Sequence, residues 1–165
     1  MDHRKDPDTI PAQVSMRFGA QDEKNMSLAL SQALLALKEG EIPVGCALIG
    51  ADGSVLSLTH NQTQKTGDLS AHAEMLAIRA VPRYQLQDAV MYVTLEPCPM
   101  CAGAIALSGI KRVIYAASDK KYGCCGSVYR LTEDPAFDRY CRADGGLLAN
   151  ESERLLNSCF QSMRK

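Results

Sequence analysis

Two short stretches carry side chains that can do chemistry together: Ala71-His72-Ala73-Glu74 and Glu96-Pro97-Cys98-Pro99-Met100-Cys101. As patterns they are H-x-E and P-C-x-x-C. One imidazole and two thiolates suit zinc, and three protein ligands leave a fourth tetrahedral position for water. A closed structural site would want another Cys or His, whereas this sequence supplies a carboxylate, Glu74. The expected centre is one Zn2+ per subunit on His72, Cys98 and Cys101, with water as fourth ligand. Zinc lowers the pKa of such a water from about 15.7 toward roughly 7. Glu74 would take the water's proton and return it to a ring nitrogen, then to a leaving amine. That chemistry hydrolyses an amidine-type carbon bearing an exocyclic amine.

The spacing sets conditions on the fold. Cys98 and Cys101 are i and i+3 at a helix start, where both sulfurs project to one side and the helix N-terminus favours thiolate. Pro97 and Pro99 fit a first turn, where a missing N–H costs nothing. His72 and Glu74 are about 200° apart on an ideal helix, so they converge only if that helix meets the site end-on. Other assignments are weaker. Cys98, Cys101, Cys124 and Cys125 would make four thiolates, but adjacent cysteines cannot form a normal second knuckle. His60 lacks a neighbouring carboxylate and reads as a solvated strand-end residue, and His3 as inert. Cys46, Cys141 and Cys159 read as small core residues.

The elements that must position these residues follow from periodicity. Residues 1–20 read as a flexible N-terminal arm and residues 21–165 as a single domain. Met26, Leu30, Ala33, Leu34 and Leu37 fall on one face of a helix from Asp22 to a stop at Gly40. Residues 43–49 and 55–59 read as a hairpin about the 51–54 turn. A loop over 60–69 leads to a helix opening near Ser70 and ended by Pro82. A buried strand over 89–95, a helix over 98–108 closed by Gly109, and a strand over 112–117 make a parallel βαβ unit. Residues 120–126 and 131–138 read as loops, and 150–163 as a helix with Leu155, Leu156, Cys159 and Phe160 on one side. The predicted fold is α/β, a three-layer αβα sandwich with a mixed central sheet and helices on both faces.

Composition sets outer limits. A chain of 165 residues, 46% apolar and 22% charged, is one ordinary globular domain with a net charge of −1, too little for a wholesale nucleic-acid coat. No apolar run is long enough for a membrane span, and the first residues lack a secretory h-region. Seven cysteines, two of them candidate metal ligands, fit a reducing compartment. Cytoplasmic residence is expected.

The H-x-E and P-C-x-x-C pair is an established signature of zinc-dependent nucleobase deaminases, with the Glu as general acid/base. At these motifs the chain resembles the cytidine deaminase-like superfamily, and within it the bacterial tRNA-specific adenosine deaminases. The likeness runs from about Glu23 to the C-terminus. Residues 42–45 (I-P-V-G) before an apolar strand, 94–104 (T-L-E-P-C-P-M-C-A-G-A), 118–123 (S-D-K-K-Y-G), Gly126-Ser127, Asp134-Pro135 and the last helix all carry it. The resemblance implies substrate contacts at Asn61 and, near bound anticodon nucleotides, at Asp119. It also implies a homodimer. The chain departs from the family at the 123–126 loop, Gly-Cys-Cys-Gly in place of small residues, and at Phe137-Asp138-Arg139 in place of an Asn-His pair. The segment between the metal motifs is also a few residues short.

The expected function is conversion of adenosine to inosine at the wobble position of a tRNA anticodon loop, with the base splayed into the zinc site. Deamination of a free base or nucleoside, of guanine or cytosine type, is the alternative. A non-catalytic zinc-bearing subunit would be expected to lack Glu74. From Lys111 to Arg130 five basic residues (Lys111, Arg112, Lys120, Lys121, Arg130) face one acid, Asp119, and Arg139, Arg142, Arg154, Arg164 and Lys165 follow. That run is either a phosphate-binding face or a solvated surface.

Overall fold

The computed structural model describes residues 17–164, so residues 1–16 of the expected N-terminal arm lie outside the described residues. In chain order the elements are α1 (Ala20–Lys38), β1 (Gly45–Ile49), β2 (Val55–His60), α2 (Thr63–Thr66), α3 (Ala73–Arg79), α4 (Arg83–Leu86), β3 (Val90–Leu95), α5 (Pro99–Ser108), β4 (Arg112–Ala117), a 3-10 turn (Leu131–Glu133), β5 (Arg142–Gly145) and α6 (Ala149–Met163). The strands form one sheet in the order β2-β1-β3-β4-β5. β1 is antiparallel to both β2 and β3, while β3, β4 and β5 run parallel. This is the expected mixed sheet. α1 and α6 cover one face over Met26, Ala29, Ala47, Ile114 and Leu147. α3 and α5 cover the other over Ala77, Met91, Val93, Ile105 and Val113. Among the described residues no helix is long and apolar enough to cross a membrane.

α1 shows how tightly the layers approach. Its buried residues are Asn25, Met26, Ala29, Ala33 and Ala36, so Leu34, expected in the core, is on the solvent side at 41% exposure. The cause lies in β1. A Cβ on Gly45 would stand 2.0 Å from the Ala29 carbonyl oxygen and 2.4 Å from the Ala33 nitrogen. With helix and strand backbones that close, alanines fill the space between them and Leu34 and Leu35 turn outward. Asp22 and Glu23 in the first turn and Lys38 in the last complement the helix dipole.

β5 was not expected, because Arg-Ala-Asp-Gly lacks the β-branched residues that mark strands. Ionic anchoring replaces that propensity: the buried Asp144 carboxylate meets Arg112 at 2.8 Å, Arg142 at 3.0 Å and Arg17 at 3.6 Å. Gly145 is required here, since a Cβ would come within 2.3 Å of the Tyr115 ring. In α6 the buried positions are Ser152, Leu156 and Cys159, whereas Phe160, expected to face inward, is exposed. Ser152 Oγ donates 2.6 Å to the Thr94 carbonyl, fixing α6 on β3. Cys46 and Cys141 are buried like Cys159, as small core residues.

Candidate active site

The end-on approach needed to bring His72 and Glu74 together is what the backbone provides. His72 is not inside a helix but is the N-cap of α3, extended at φ −70° and ψ 152°, and Glu74 lies in the first turn. Cys98 likewise caps α5, with Pro99 next to it and Cys101 in the first turn. Two helix N-termini therefore meet at the carboxyl end of β3. Thr59 Oγ1 and Ser57 Oγ of β2 donate to the Ala73 and Ala77 carbonyls at 2.7 and 3.2 Å, holding α3 in place.

His72 Nδ1 stands 3.6 Å from Cys98 Sγ and 3.5 Å from Cys101 Sγ. Tetrahedral zinc, at about 2.3 Å from sulfur and about 2.0–2.1 Å from nitrogen, holds those atoms about 3.5–3.6 Å apart. The donor set and its spacing thus fit the ion, and among the described residues this trio is the one group that can hold a metal. Cys124 and Cys125 are buried outside it. Protonation tells the same story. A hydrogen bond from Cys101, aided by His72, holds Cys98 down to about 4. The same bond holds the Cys101 thiol well above its ordinary value, and the bond to Cys98 raises His72. Protons shared among clustered ligands are those a cation displaces. Glu74 is 3% exposed, and burial pushes its carboxyl up to about 7. It also reaches the Cys101 thiol.

His72, Glu74 and Cys98 open on a cavity of about 230 Å³. That is below the about 300–1,000 Å³ typical of drug-sized ligands, a size for one base rather than a nucleotide stack. Asn61 and Asp119 border the same cavity as His72, Glu74 and Cys98. Asn61 is buried, its Oδ1 accepting from the Thr63 amide at 3.3 Å and its Nδ2 donating to the Ile42 carbonyl at 3.4 Å. Asp119 Oδ1 accepts from the amides of Lys121 (2.9 Å) and Tyr122 (3.1 Å). His60 stands apart. It is not solvated as expected: its ring is 12% exposed, with Glu39 at 2.9 Å and Gln32 at 3.0 Å.

Sequence reasoning missed two buried carboxylates that build the cavity walls. Glu96 accepts from the amides of Asp119 (2.9 Å), Cys125 (3.1 Å) and Ser127 (2.9 Å), and from Ser127 Oγ. It holds both ends of the loop that carries Asp119 and Tyr122. Gly123 belongs to that clamp, since a Cβ there would lie 2.3 Å from Glu96 Cδ and 2.4 Å from the Asp119 carbonyl oxygen. On the other wall Glu41 accepts from the Gln64 and Lys65 amides at 3.0 and 2.7 Å, pinning α2 beside Asn61. The basic run is also thinner than its count. Arg112 and Arg142 are committed to Asp144, and Arg130 to Glu133 at 3.0 Å. Lys111 leads into β4, at the end of the parallel strands away from the cavity, which leaves Lys120 and Lys121 beside it.

Comparison with known proteins gives a consistent set of likenesses. The cytidine and deoxycytidylate deaminase zinc-binding region matches residues 20–117. The tRNA-specific adenosine deaminase of Bacillus subtilis is 38% identical over 149 residues, covering 88% of this chain and 92% of that protein. Its counterpart in Haemophilus influenzae is 39% identical over 148 residues, covering 87% and 86%. A solved structure from work on A-to-I editing by tRNA:A34 deaminases at the wobble position of transfer RNA superposes with a TM-score of 0.75 at 37% identity, covering 81% of this chain and 99% of that one. A guanine deaminase from Nitrosomonas europaea shares the fold, with a TM-score of 0.68 at 20% identity, covering 83% of each chain.

Proposed function

The chain belongs to the cytidine and deoxycytidylate deaminase zinc-binding family, and from that premise we propose that it converts adenosine to inosine at the wobble position of a tRNA anticodon loop. Family membership makes it a zinc-dependent hydrolytic deaminase. The substrate reading rests on the relatives and on the site together. The observation that carries it is the small cavity lined by Glu74, Asn61, Asp119 and two of the ligand trio, His72 and Cys98, with Lys120 and Lys121 following Asp119 in the chain.

His72, Cys98 and Cys101 would hold the zinc, which when bound would supply Lewis-acid activation of a water. Glu74 holds the proton that water gives up; its burial and raised pKa suit it to carry a proton near neutral pH. It delivers that proton to adenine N1, then takes the proton of the hydroxyl added at C6 and passes it to the exocyclic amine. The new C6–O bond forms, the C6–N bond breaks, and ammonia leaves. Asn61, its side chain fixed by Thr63 and Ile42, orients the base. Asp119 meets the nucleotide from the opposite wall. The cavity cannot hold neighbouring bases, so the target must be splayed from a single-stranded loop, as anticodon loops allow. Action as a homodimer in the cytoplasm completes the reading.

A substrate panel tests it. The zinc-loaded protein is given an anticodon stem-loop with adenosine at the wobble position and, separately, adenosine, guanine, cytosine and cytidine, and ammonia release is followed. Release from the stem-loop alone is expected. Release from a free base with the stem-loop untouched would overturn the substrate while leaving the zinc chemistry in place.

A further inference from the structure

We propose that Tyr122 is a stacking platform for an RNA base that flanks the nucleotide entering the cavity, an inference resting on the anticodon-loop reading above. Its ring borders the cavity, yet 55% of the residue is open to solvent. It therefore sits at the mouth, half outside. A free base filling the cavity would leave the outer part of the ring in water. A substrate that continues past the cavity would cover it.

The ring is displayed from a backbone with little freedom. Asp119 Oδ1 accepts from the amides of Lys121 and Tyr122, the Gly123 amide donates 2.9 Å to the Asp119 carbonyl, and the Cys124 amide donates 2.8 Å to the Pro97 carbonyl. Glu96 holds the loop from beneath. Rigid presentation lowers the entropy lost when a partner stacks. The surrounding charge points to the same partner. Lys121 Nζ stands over one face of the ring, 5.1 Å from its centroid, so a base stacks on the other face; Lys120 is next in the chain, and Lys65 is exposed on α2, the helix that begins at the cavity-lining Thr63. Among the described residues none of these three lysines is in an ion pair. An exposed aromatic ring with a cation on one face and further lysines nearby matches a base together with its phosphate: the base stacks on the open face whatever its identity, and the ammonium groups meet the backbone.

The test uses the full-length, zinc-loaded protein at one fixed salt concentration. Steady-state kinetics on the wobble-adenosine stem-loop are compared for the wild type, Tyr122→Ala and Tyr122→Phe. In parallel, binding is titrated with stem-loops carrying fluorescent 2-aminopurine at either flanking position. Tyr122→Ala is expected to raise KM about 5- to 150-fold, the span of one base–aromatic stack, with kcat little changed. Tyr122→Phe should restore KM. The 2-aminopurine at one flanking position should be quenched by the wild type and Tyr122→Phe but not by Tyr122→Ala. Tyr122→Leu, which keeps the bulk, replaces the alanine variant should that fold poorly. An unchanged KM and unchanged quenching, with the wild type still converting the stem-loop, would overturn the stacking role and leave the substrate reading intact. An altered oligomeric state with quenching preserved would assign the ring to a subunit contact and equally overturn the proposal. Failure of the wild type on every stem-loop while a free base reacts would remove the reading beneath it.

Discussion

At the residue scale the centre is a balance between protons and a cation. Glu74 is buried where its charged form is disfavoured, and Cys101 and His72 hold protons through their bonds to Cys98. Zinc must displace those protons, and ligands with raised pKa values release them less readily at low pH. Zinc affinity is therefore expected to rise as pH increases through and above the ordinary histidine value of 6.5, with protons released on binding. Chelator competition at several pH values measures this, and a pH-independent affinity would contradict the shared-proton picture. Glu74→Gln should retain one equivalent of zinc, fold at least as stably, and lose about 10²–10⁴-fold in kcat. Metal analysis beside turnover separates these outcomes, since a ligand variant such as Cys101→Ser should lose the metal as well. The grouping of His72, Cys98 and Cys101 with Glu74 beside them was legible because their spacing is local and their chemistry specific. Asn61 and Asp119 came from family likeness, having no chemical pattern of their own. Glu96 and Glu41 were not legible, because the amides they bind lie more than twenty residues away in sequence.

At the element scale, function depends on where helices begin. The angular conflict between His72 and Glu74 on an ideal helix vanishes because His72 is a cap and not a helical residue. The sequence marks this boundary poorly, since His72 is not one of the residues that favour N-caps and makes no side-chain cap hydrogen bond. The 118–127 loop hangs from Glu96, whose carboxylate takes four donors. Glu96→Gln puts an amide N–H₂ against backbone N–H groups. It should cost about 1.5–3 kcal/mol of stability and raise KM for the stem-loop while zinc stays bound. Denaturant unfolding with metal analysis checks the first and last expectations. A variant of wild-type stability would show the clamp to be dispensable.

At the scale of the whole molecule the sheet sets the site's position. β3 and β4 both end at the cavity, one delivering Glu96 and Cys98 and the other Asp119, where ligands bind in sheets of this kind. The layered architecture was legible from the alternation of strands and helices. The close seat of α1 was not, because Leu34 fits a helical stripe as well as Ala33 does and only the approach of Gly45 excludes it. β5 stayed hidden because an ion cluster, not strand propensity, holds it. Gly45→Ala should force α1 off the sheet at a cost of at least about 3 kcal/mol, read as a lowered unfolding midpoint. An unchanged midpoint would contradict the backbone contact. The claim on which everything else turns is hydrolytic deamination of a wobble adenosine. Its most direct test is nucleoside mass spectrometry of an anticodon stem-loop after incubation with the zinc-loaded protein and, separately, with Glu74→Gln. Inosine at the wobble position with the wild type and unchanged adenosine with the variant is the predicted result; adenosine left intact by a zinc-replete, folded wild type would contradict it.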